Sequence, residues 1–290
     1  MVSCRFLGAS VGNCAGVQGC QEAPELIKRK LKLEQYWEKT IRCRNEKNRL
    51  DATADLAEFS EKLAEATWAI TQKQQRFITI GGDHSCAIGT WSGVHKAIGN
   101  YGLIWIDAHM DAHIPESSPS GNLHGMPVAA LLGYGSPSLT SILSNEPKLK
   151  PENLFLIGIR SYEPAEEELL NKLNVKVFTM DDVNEFGFAH CWNDALMHFK
   201  QNDLPFGVSF DLDGLDPDEI DALGTPVEKG IMLKDTLECF KNMPMEKFLG
   251  IEITEYNPSL DCKQKGVSVI SQILNALPMD IELPNQQALE

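Results

Sequence analysis

LIWIDAHMDAH, residues 103–113, joins four apolar residues to a segment with an ionisable side chain at every second position. Alternate side chains of an extended chain share one face, so those of 107, 109, 111 and 113 would point the same way. Carboxylates held together at the end of a buried strand repel one another and lose hydration unless a positive charge lies among them. The stretch therefore favours a metal site, although an exposed strand end with solvated charges is the plainer interpretation of this segment alone.

Three other apolar runs also end in polar side chains. They are ITIGGDHS at 78–85, GVSFDLDGLDP at 207–217 and LGIEITEYNP at 249–258. The first offers an imidazole at His84, the second places Asp211 and Asp213 on one face, and the third ends in an acid, Glu255. Four apolar runs that each end in polar side chains favour one shared site.

Apolar runs alternate with helical patterns along most of the chain. The runs lie at 77–80, 103–106, 154–159, 175–178, 206–210 and 248–253, and the helical segments at 126–132, 164–173, 189–200, 233–242 and 266–277. This alternation predicts a parallel sheet covered on both faces, with ligands at the carboxyl ends of its strands. We therefore expect a three-layer α/β/α fold with a central, mostly parallel sheet, formed by a single domain over residues 1–290.

The first 75 residues are less regular. Residues 3–7 predict a short strand, 8–19 a glycine-bearing loop, and Pro24 the start of a helix. From 50 to 74, apolar residues recur every three or four positions, which predicts an amphipathic helix that packs on the core.

Composition excludes several classes of protein. Acids outnumber Lys plus Arg by 41 to 26, for a net charge of -15, and no Lys/Arg-rich run could follow a phosphate backbone, so neither nucleic acid nor a membrane is an expected partner. The eight cysteines form no Cys-x-x-Cys pair, and the start of the chain lacks a secretory signal. We expect reduced thiols, a cytoplasmic location and, from the negative charge, a small cationic substrate.

The polar segments resemble motifs of the ureohydrolase family and, within it, of the arginases. The matching stretches are GGDH at 81–84, DAHMD at 107–111, SGNLHG at 120–125, SFDLDGLDP at 209–217, GTP at 224–226 and EYNP at 255–258. They occur in the family's order, whereas residues 1–75 match only loosely. The resemblance implies an arginase-like fold and hydrolysis of a guanidino compound.

The resemblance also assigns roles to individual residues. A hydroxide shared by two Mn²⁺ ions would attack the guanidinium carbon. Glu255 would hold the guanidinium. Asp111 would carry a proton, and His124 would be a general acid/base at the mouth of the site. A nitrogen and oxygen ligand set suits a hard or borderline ion, although ligand type alone leaves Co²⁺, Fe²⁺ and Ni²⁺ open. The six implied metal ligands are His84, Asp107, His109, Asp111, Asp211 and Asp213.

The substrate implied is L-arginine, cleaved to L-ornithine and urea. Its amino-acid end would meet polar groups that match His113, Ser120, Asn122 and Glu163, with Thr225 lining the site. The arginases usually have Asn at the position of His113 and Asp at the position of Glu163. The alternatives to substrate binding are that His113 is a packed imidazole and that Glu163 is a solvated acid.

Other functions stay open on the sequence alone. Agmatinase, guanidino-acid hydrolase and formimidoylglutamase activities would use the same chemistry, and a zinc deacetylase of the same general fold would use a single metal site. A non-catalytic binding protein would have little reason to keep six ligands. Family members are usually trimers or hexamers, so we expect a homo-oligomer.

Overall fold

The sheet is parallel between every neighbouring pair of strands. We describe the protein from a computed structural model, which covers residues 3–44, 47–262 and 264–284. The strands in these ranges are β1 (Cys4–Ser10), β2 (Trp37–Arg42), β3 (Arg76–Gly81), β4 (Gly102–Ile106), β5 (Leu154–Ile159), β6 (Lys176–Thr179), β7 (Phe206–Asp211) and β8 (Phe248–Thr254). Their order across the sheet is β2-β1-β3-β8-β7-β4-β5-β6.

Helices cover both faces of the sheet. They are α1 (Ala23–Lys30), α2 (Thr53–Gln72), α3 (Ala87–Ile98), α4 (Pro127–Leu131), α5 (Pro137–Thr140), α6 (Pro164–Leu173), α7 (Met180–Phe186), α8 (Phe188–Gln201), α9 (Leu233–Lys241) and α10 (Lys265–Ala276). Buried residues of α1 and of α7 to α10 pack on one face, and those of α2 to α6 on the other.

Strand β4 shows how the sequence makes two cores. Leu103 and Trp105 belong to the core under α2 to α4, whereas Ile104 and Ile106 belong to the core on the opposite face. Successive side chains of a strand point to opposite faces, so a strand that is apolar at every position must be covered on both sides. This arrangement confirms the predicted three-layer α/β/α fold.

Most predicted elements are present, and three short ones, β2, α5 and α7, were missed. The strand β2 has the sequence WEKTIR, in which charged residues interrupt the apolar pattern because it is an edge strand with exposed side chains. Helix α7 has only seven residues, beginning after a capping box between Thr179 and Asp182. Within the described ranges, no helix is both long enough and apolar enough to cross a membrane.

Candidate functional site

Four adjacent central strands deliver the predicted site residues to one edge of the sheet. In the order β3, β8, β7, β4 they end next to His84, Glu255, Asp211 and Asp107 respectively. All four side chains are buried. The carboxyl edge of the sheet is therefore where the polar segments converge, as the sequence predicts.

One group of side chains forms around His84. Its Nδ1 atom lies 3.1 Å from Asp107 Oδ2, 3.2 Å from Asp111 Oδ2 and 2.9 Å from Asp211 Oδ2. One imidazole nitrogen thus faces three carboxylates in the interior.

A second group forms around His109. Its Nδ1 atom lies 3.1 Å from Asp213 Oδ2 and 3.5 Å from Asp107 Oδ1. Asp107 therefore turns one oxygen towards each histidine and belongs to both groups, each of which could hold a metal ion. Together the two groups bring all six predicted ligands into contact.

The donor atoms suit divalent cations. His84 Nδ1 and Asp111 Oδ2 are buried, and neither has a hydrogen-bond partner among the described residues. Burial raises the pKa of Asp211 well above its usual range, and the charges of Asp213 and Asp107 raise it further. Burial and the Asp107 charge likewise raise the pKa of Asp111 to about 6. A cation among these groups would offset both the lost hydration and the mutual repulsion, and an imidazole and carboxylate set without thiolate fits a hard or borderline ion.

The ring of His84 is oriented by a buried chain of hydrogen bonds. Its Nε2 lies 2.9 Å from Ser209 Oγ, and that hydroxyl donates to Glu252 Oε1 at 2.6 Å. Because Ser209 gives its one proton to Glu252, it accepts from Nε2–H, and the neutral ring therefore has its lone pair on Nδ1, towards the carboxylates. The ring also stacks on Trp105 at 4.1 Å between centroids, and Trp105 Nε1 donates to Asp107 Oδ2 at 2.8 Å.

Sequence reasoning did not single out Ser209, Glu252 or Trp105. Their signal is a polar or aromatic residue two or three positions before a strand-end acid on a buried strand. Such residues become visible as partners only when the order of the strands is known.

His124 and Glu255 form a buried pair beside the two groups. His124 Nδ1 lies 3.0 Å from Glu255 Oε1, which also accepts from the backbone N–H of His84 at 2.8 Å. Burial alone would lower the pKa of His124, but the Glu255 carboxylate outweighs it and raises that pKa to about 9. The imidazole is 13% exposed and the carboxylate 1%, so the pair joins the interior to the mouth.

His113 and Glu163 lie in direct contact at that mouth. His113 Nε2 is 2.9 Å from Glu163 Oε2 and 3.3 Å from Glu166 Oε2, while Nδ1 is 3.0 Å from Ser117 Oγ. Glu166, which the sequence analysis missed, is buried, and burial raises its pKa to about 8. Two carboxylates therefore share one imidazole nitrogen.

The other predicted substrate-binding residues lie apart from this contact. Ser120 Oγ accepts from the N–H of Asn122 at 3.2 Å within one turn, and no hydrogen bond joins that turn to His113 or Glu163 in the described ranges. Thr225 Oγ1 instead donates to Asp213 Oδ2 at 3.1 Å. Thr225 thus contacts the group of side chains around His109 directly, through Asp213.

Comparisons with known proteins show which family the chain resembles. The sequence profile described as the arginase family matches residues 2–278. The arginase of Bacillus caldovelox is 38% identical over 231 residues, which cover 79% of this chain and 77% of that protein.

Solved structures of arginases have a similar fold. An arginase crystal structure from Bacillus subtilis superposes with a TM-score of 0.87 at 31% identity, covering 95% of this chain and 98% of that one. An Entamoeba histolytica arginase in complex with L-ornithine gives a TM-score of 0.84 at 28% identity, with 96% and 99% covered. Fold, site and relatives define a hydrolytic enzyme of the ureohydrolase class. The chain belongs to the arginase family.

Proposed function

We propose that this enzyme hydrolyses the guanidinium group of L-arginine, giving L-ornithine and urea, with two Mn²⁺ ions as cofactors. The observation that carries the proposal is the sharing of Asp107 between the His84 and His109 groups, which suits a pair of neighbouring ions. The residues that would hold them are His84, Asp107, His109, Asp111, Asp211 and Asp213. When bound, two such ions supply a water of lowered pKa that can act as a nucleophile near neutral pH.

Glu255 is placed to receive the guanidinium. Its carboxylate is buried beside both groups and stays ionised, because hydrogen bonds from His84 N–H and His124 favour the charged form. A buried anion attracts a planar cation strongly, since little water screens the two charges. The substrate's reacting carbon would thereby lie next to the carboxylate cluster.

Two residues would move protons. Asp111 faces the cluster with an oxygen that has no hydrogen-bond partner in the described part of the chain, so it can accept a proton from the nucleophile. His124 reaches towards solvent beside Glu255, whose charge raises its pKa, so its imidazolium could protonate the departing amine. Protonation matters because a neutral amine leaves more readily than an amide anion.

The amino-acid end of arginine would lie at the mouth. We propose that its α-ammonium is accepted by Glu163 and Glu166 and its α-carboxylate by donors from His113, Ser120 and Asn122. Arginine must then separate the 2.9 Å contact between His113 and Glu163. Because of that contact, a guanidino acid without an ammonium group is a second candidate substrate. It would leave Glu163 and Glu166 in contact with His113.

The decisive experiment is urea release from a panel of guanidino compounds by chelator-stripped protein before and after adding Mn²⁺. We expect no activity without metal, restored activity and a raised melting temperature with it, because ions that bind only the folded state stabilise it. Undiminished turnover in protein shown by elemental analysis to be metal-free would exclude the two-ion centre. A guanidino acid that outperforms arginine would favour the second candidate.

We propose further that the chain is one catalytic domain, that it assembles as a trimer or hexamer, and that it acts in the cytoplasm. Light scattering of the purified protein tests the assembly. A monomer at micromolar concentration would contradict it.

A further inference from the structure

Arg160, directly after β5, has an unusual set of partners. Its guanidinium donates to six backbone carbonyl oxygens, with one Nη2 hydrogen shared between two of them, and within the described ranges it forms no ion pair. The distances are 2.7 Å to Asp213, 3.2 Å to Gly214, 3.1 Å to Leu215, 2.8 Å to Val227, 3.1 Å to Glu228 and 3.1 Å to Gly158.

Five of these carbonyls belong to two segments that reach the carboxylate groups, and the sixth, that of Gly158, lies in β5. Residues 213–215 lie in and directly after the 3₁₀ turn Leu212–Gly214, which follows β7. Residues 227–228 follow Thr225, whose hydroxyl donates to the Asp213 carboxylate at 3.1 Å. One cation therefore holds the backbone of Asp213 and the loop that contacts its side chain.

The backbone of Arg160 also connects to the end of a third strand, β4. Its N–H donates to Ala108 O at 2.9 Å, and Ala108 N–H donates to Asp213 Oδ1 at 3.2 Å. The close approach is possible because Gly158 adopts φ +101°, and a Cβ atom there would lie 3.0 Å from the carbonyl of Asp107. Arg160 thus links the ends of β4, β5 and β7.

Only arginine can make this set of contacts. Its planar guanidinium has five N–H donors in a rigid arrangement, whereas a lysine ammonium has three on a flexible stem. Lysine would keep the positive charge but leave several carbonyls of the turn without a donor. The turn would then be held less firmly, and the direction of the Asp213 carboxylate would depend on its remaining bonds from Ala108 N–H and Thr225 Oγ1.

We propose that Arg160 is a positioning residue for the metal centre, which fixes the 213–215 turn so that Asp213 faces His109 and Asp107. It contacts neither the substrate nor the ligand oxygens, and it acts through the backbone. The inference rests on the proposed two-ion centre. Because Asp213 belongs to the His109 group and not to the His84 group, the loss of Arg160 should weaken one ion more than the other.

The test compares the manganese-loaded wild type with Arg160→Lys and with the control Arg76→Lys. Arg76 also donates to backbone carbonyls, 2.6 Å to Met245 and 3.4 Å to Phe248, but at the start of β3, at the opposite edge of the sheet. Manganese per folded chain is measured by elemental analysis after dialysis against graded free Mn²⁺, and electron paramagnetic resonance distinguishes a coupled pair from an isolated ion.

We expect two ions in the wild type and in Arg76→Lys. In Arg160→Lys we expect the first ion to remain and the affinity for the second to fall roughly 10- to 100-fold, the usual cost of losing a group that orients a metal ligand. The coupled signal should give way to that of an isolated ion. A role in folding alone would lower the melting temperature of both variants and leave stoichiometry unchanged.

Second-ion affinity in Arg160→Lys within twofold of wild type would overturn the role of Arg160 while leaving the metal centre intact. Fewer than two ions in the wild type would instead refute the centre itself. Arg160→Gln, which is neutral and keeps two N–H donors, provides the same comparison if the lysine variant is insoluble. Two tightly bound ions in that variant would equally overturn the proposal.

Discussion

His84 Nε2 lies 2.9 Å from Ser209 Oγ, and this contact decides which nitrogen of the ring faces the carboxylates. Ser209 gives its only proton to the buried Glu252, so it accepts from His84, and the neutral ring then directs its Nδ1 lone pair at Asp107, Asp111 and Asp211. A neutral, correctly oriented imidazole is the form that binds a metal ion.

Ser209→Ala should therefore weaken manganese binding. The imidazole loses its acceptor and Glu252 loses a donor, so we expect roughly 10- to 100-fold lower metal affinity, measured by competition with a fluorescent chelator. Ser60→Ala is the matched control, because the Ser60 hydroxyl is equally buried but has no hydrogen-bond partner in the described ranges. Equal affinities for the two variants would refute the role of Ser209.

The same contact shows what the sequence could and could not predict. His84, Asp107 and Asp211 were predictable because each ends an apolar run, and parallel strands end at one edge. The pairing of Ser209 with Glu252 depends on β7 and β8 being neighbours in the register that aligns these two residues. Nothing local in either segment specifies that register, because both strands are apolar on both faces.

The mouth gives a second example. His113 and Glu163 were each predicted to meet the amino-acid end of the substrate, yet they contact each other across fifty residues of sequence. The contact requires the loop after β4 to meet the start of α6, which depends on the neighbouring positions of β4 and β5. Glu166 was missed for the same reason, since alone it resembles an ordinary acid in the first turn of a helix.

His124→Ala should separate catalysis from metal binding. The imidazole contacts Glu255 and not the ligand oxygens, so both ions should stay bound while kcat falls by about 100-fold or more, as is typical for loss of a general acid/base. Steady-state kinetics and elemental analysis measure the two quantities. His190→Ala, an exposed histidine on α8, should leave both unchanged. A rate within twofold of wild type across the pH range would remove His124 from the mechanism.

The His124–Glu255 pair should also make stability depend on pH. The folded-state pKa of His124 is about 9, above its ordinary 6.5, so the pair's stabilisation is complete below pH 6.5 and is lost as pH rises through 9. The shift corresponds to about 3 kcal/mol at most. Chelator-treated wild type should lose melting temperature between pH 6.5 and 9.5 more steeply than His124→Gln. Chelator is needed because bound cations would disfavour the imidazolium, and parallel pH profiles would contradict the raised pKa.

The contact between His113 and Glu163 should determine which guanidino compounds are substrates. If arginine is the substrate, its carboxylate needs a donor and its ammonium an acceptor, and a site built to pair such groups rejects analogues that lack them. Agmatine, which has no carboxylate, should have a kcat/KM at least about 100-fold below that of arginine.

Glu163→Gln should chiefly raise KM for arginine, because the group is remote from the reacting carbon, and His113→Asn should stay active. Glu167→Gln, an exposed neighbour in α6, is the control and should match wild type. If a guanidino acid instead has the higher kcat/KM, and Glu163→Gln leaves its KM unchanged, the acid pair serves only to hold His113. The ureohydrolase chemistry would then stand, and arginine would be replaced as its substrate.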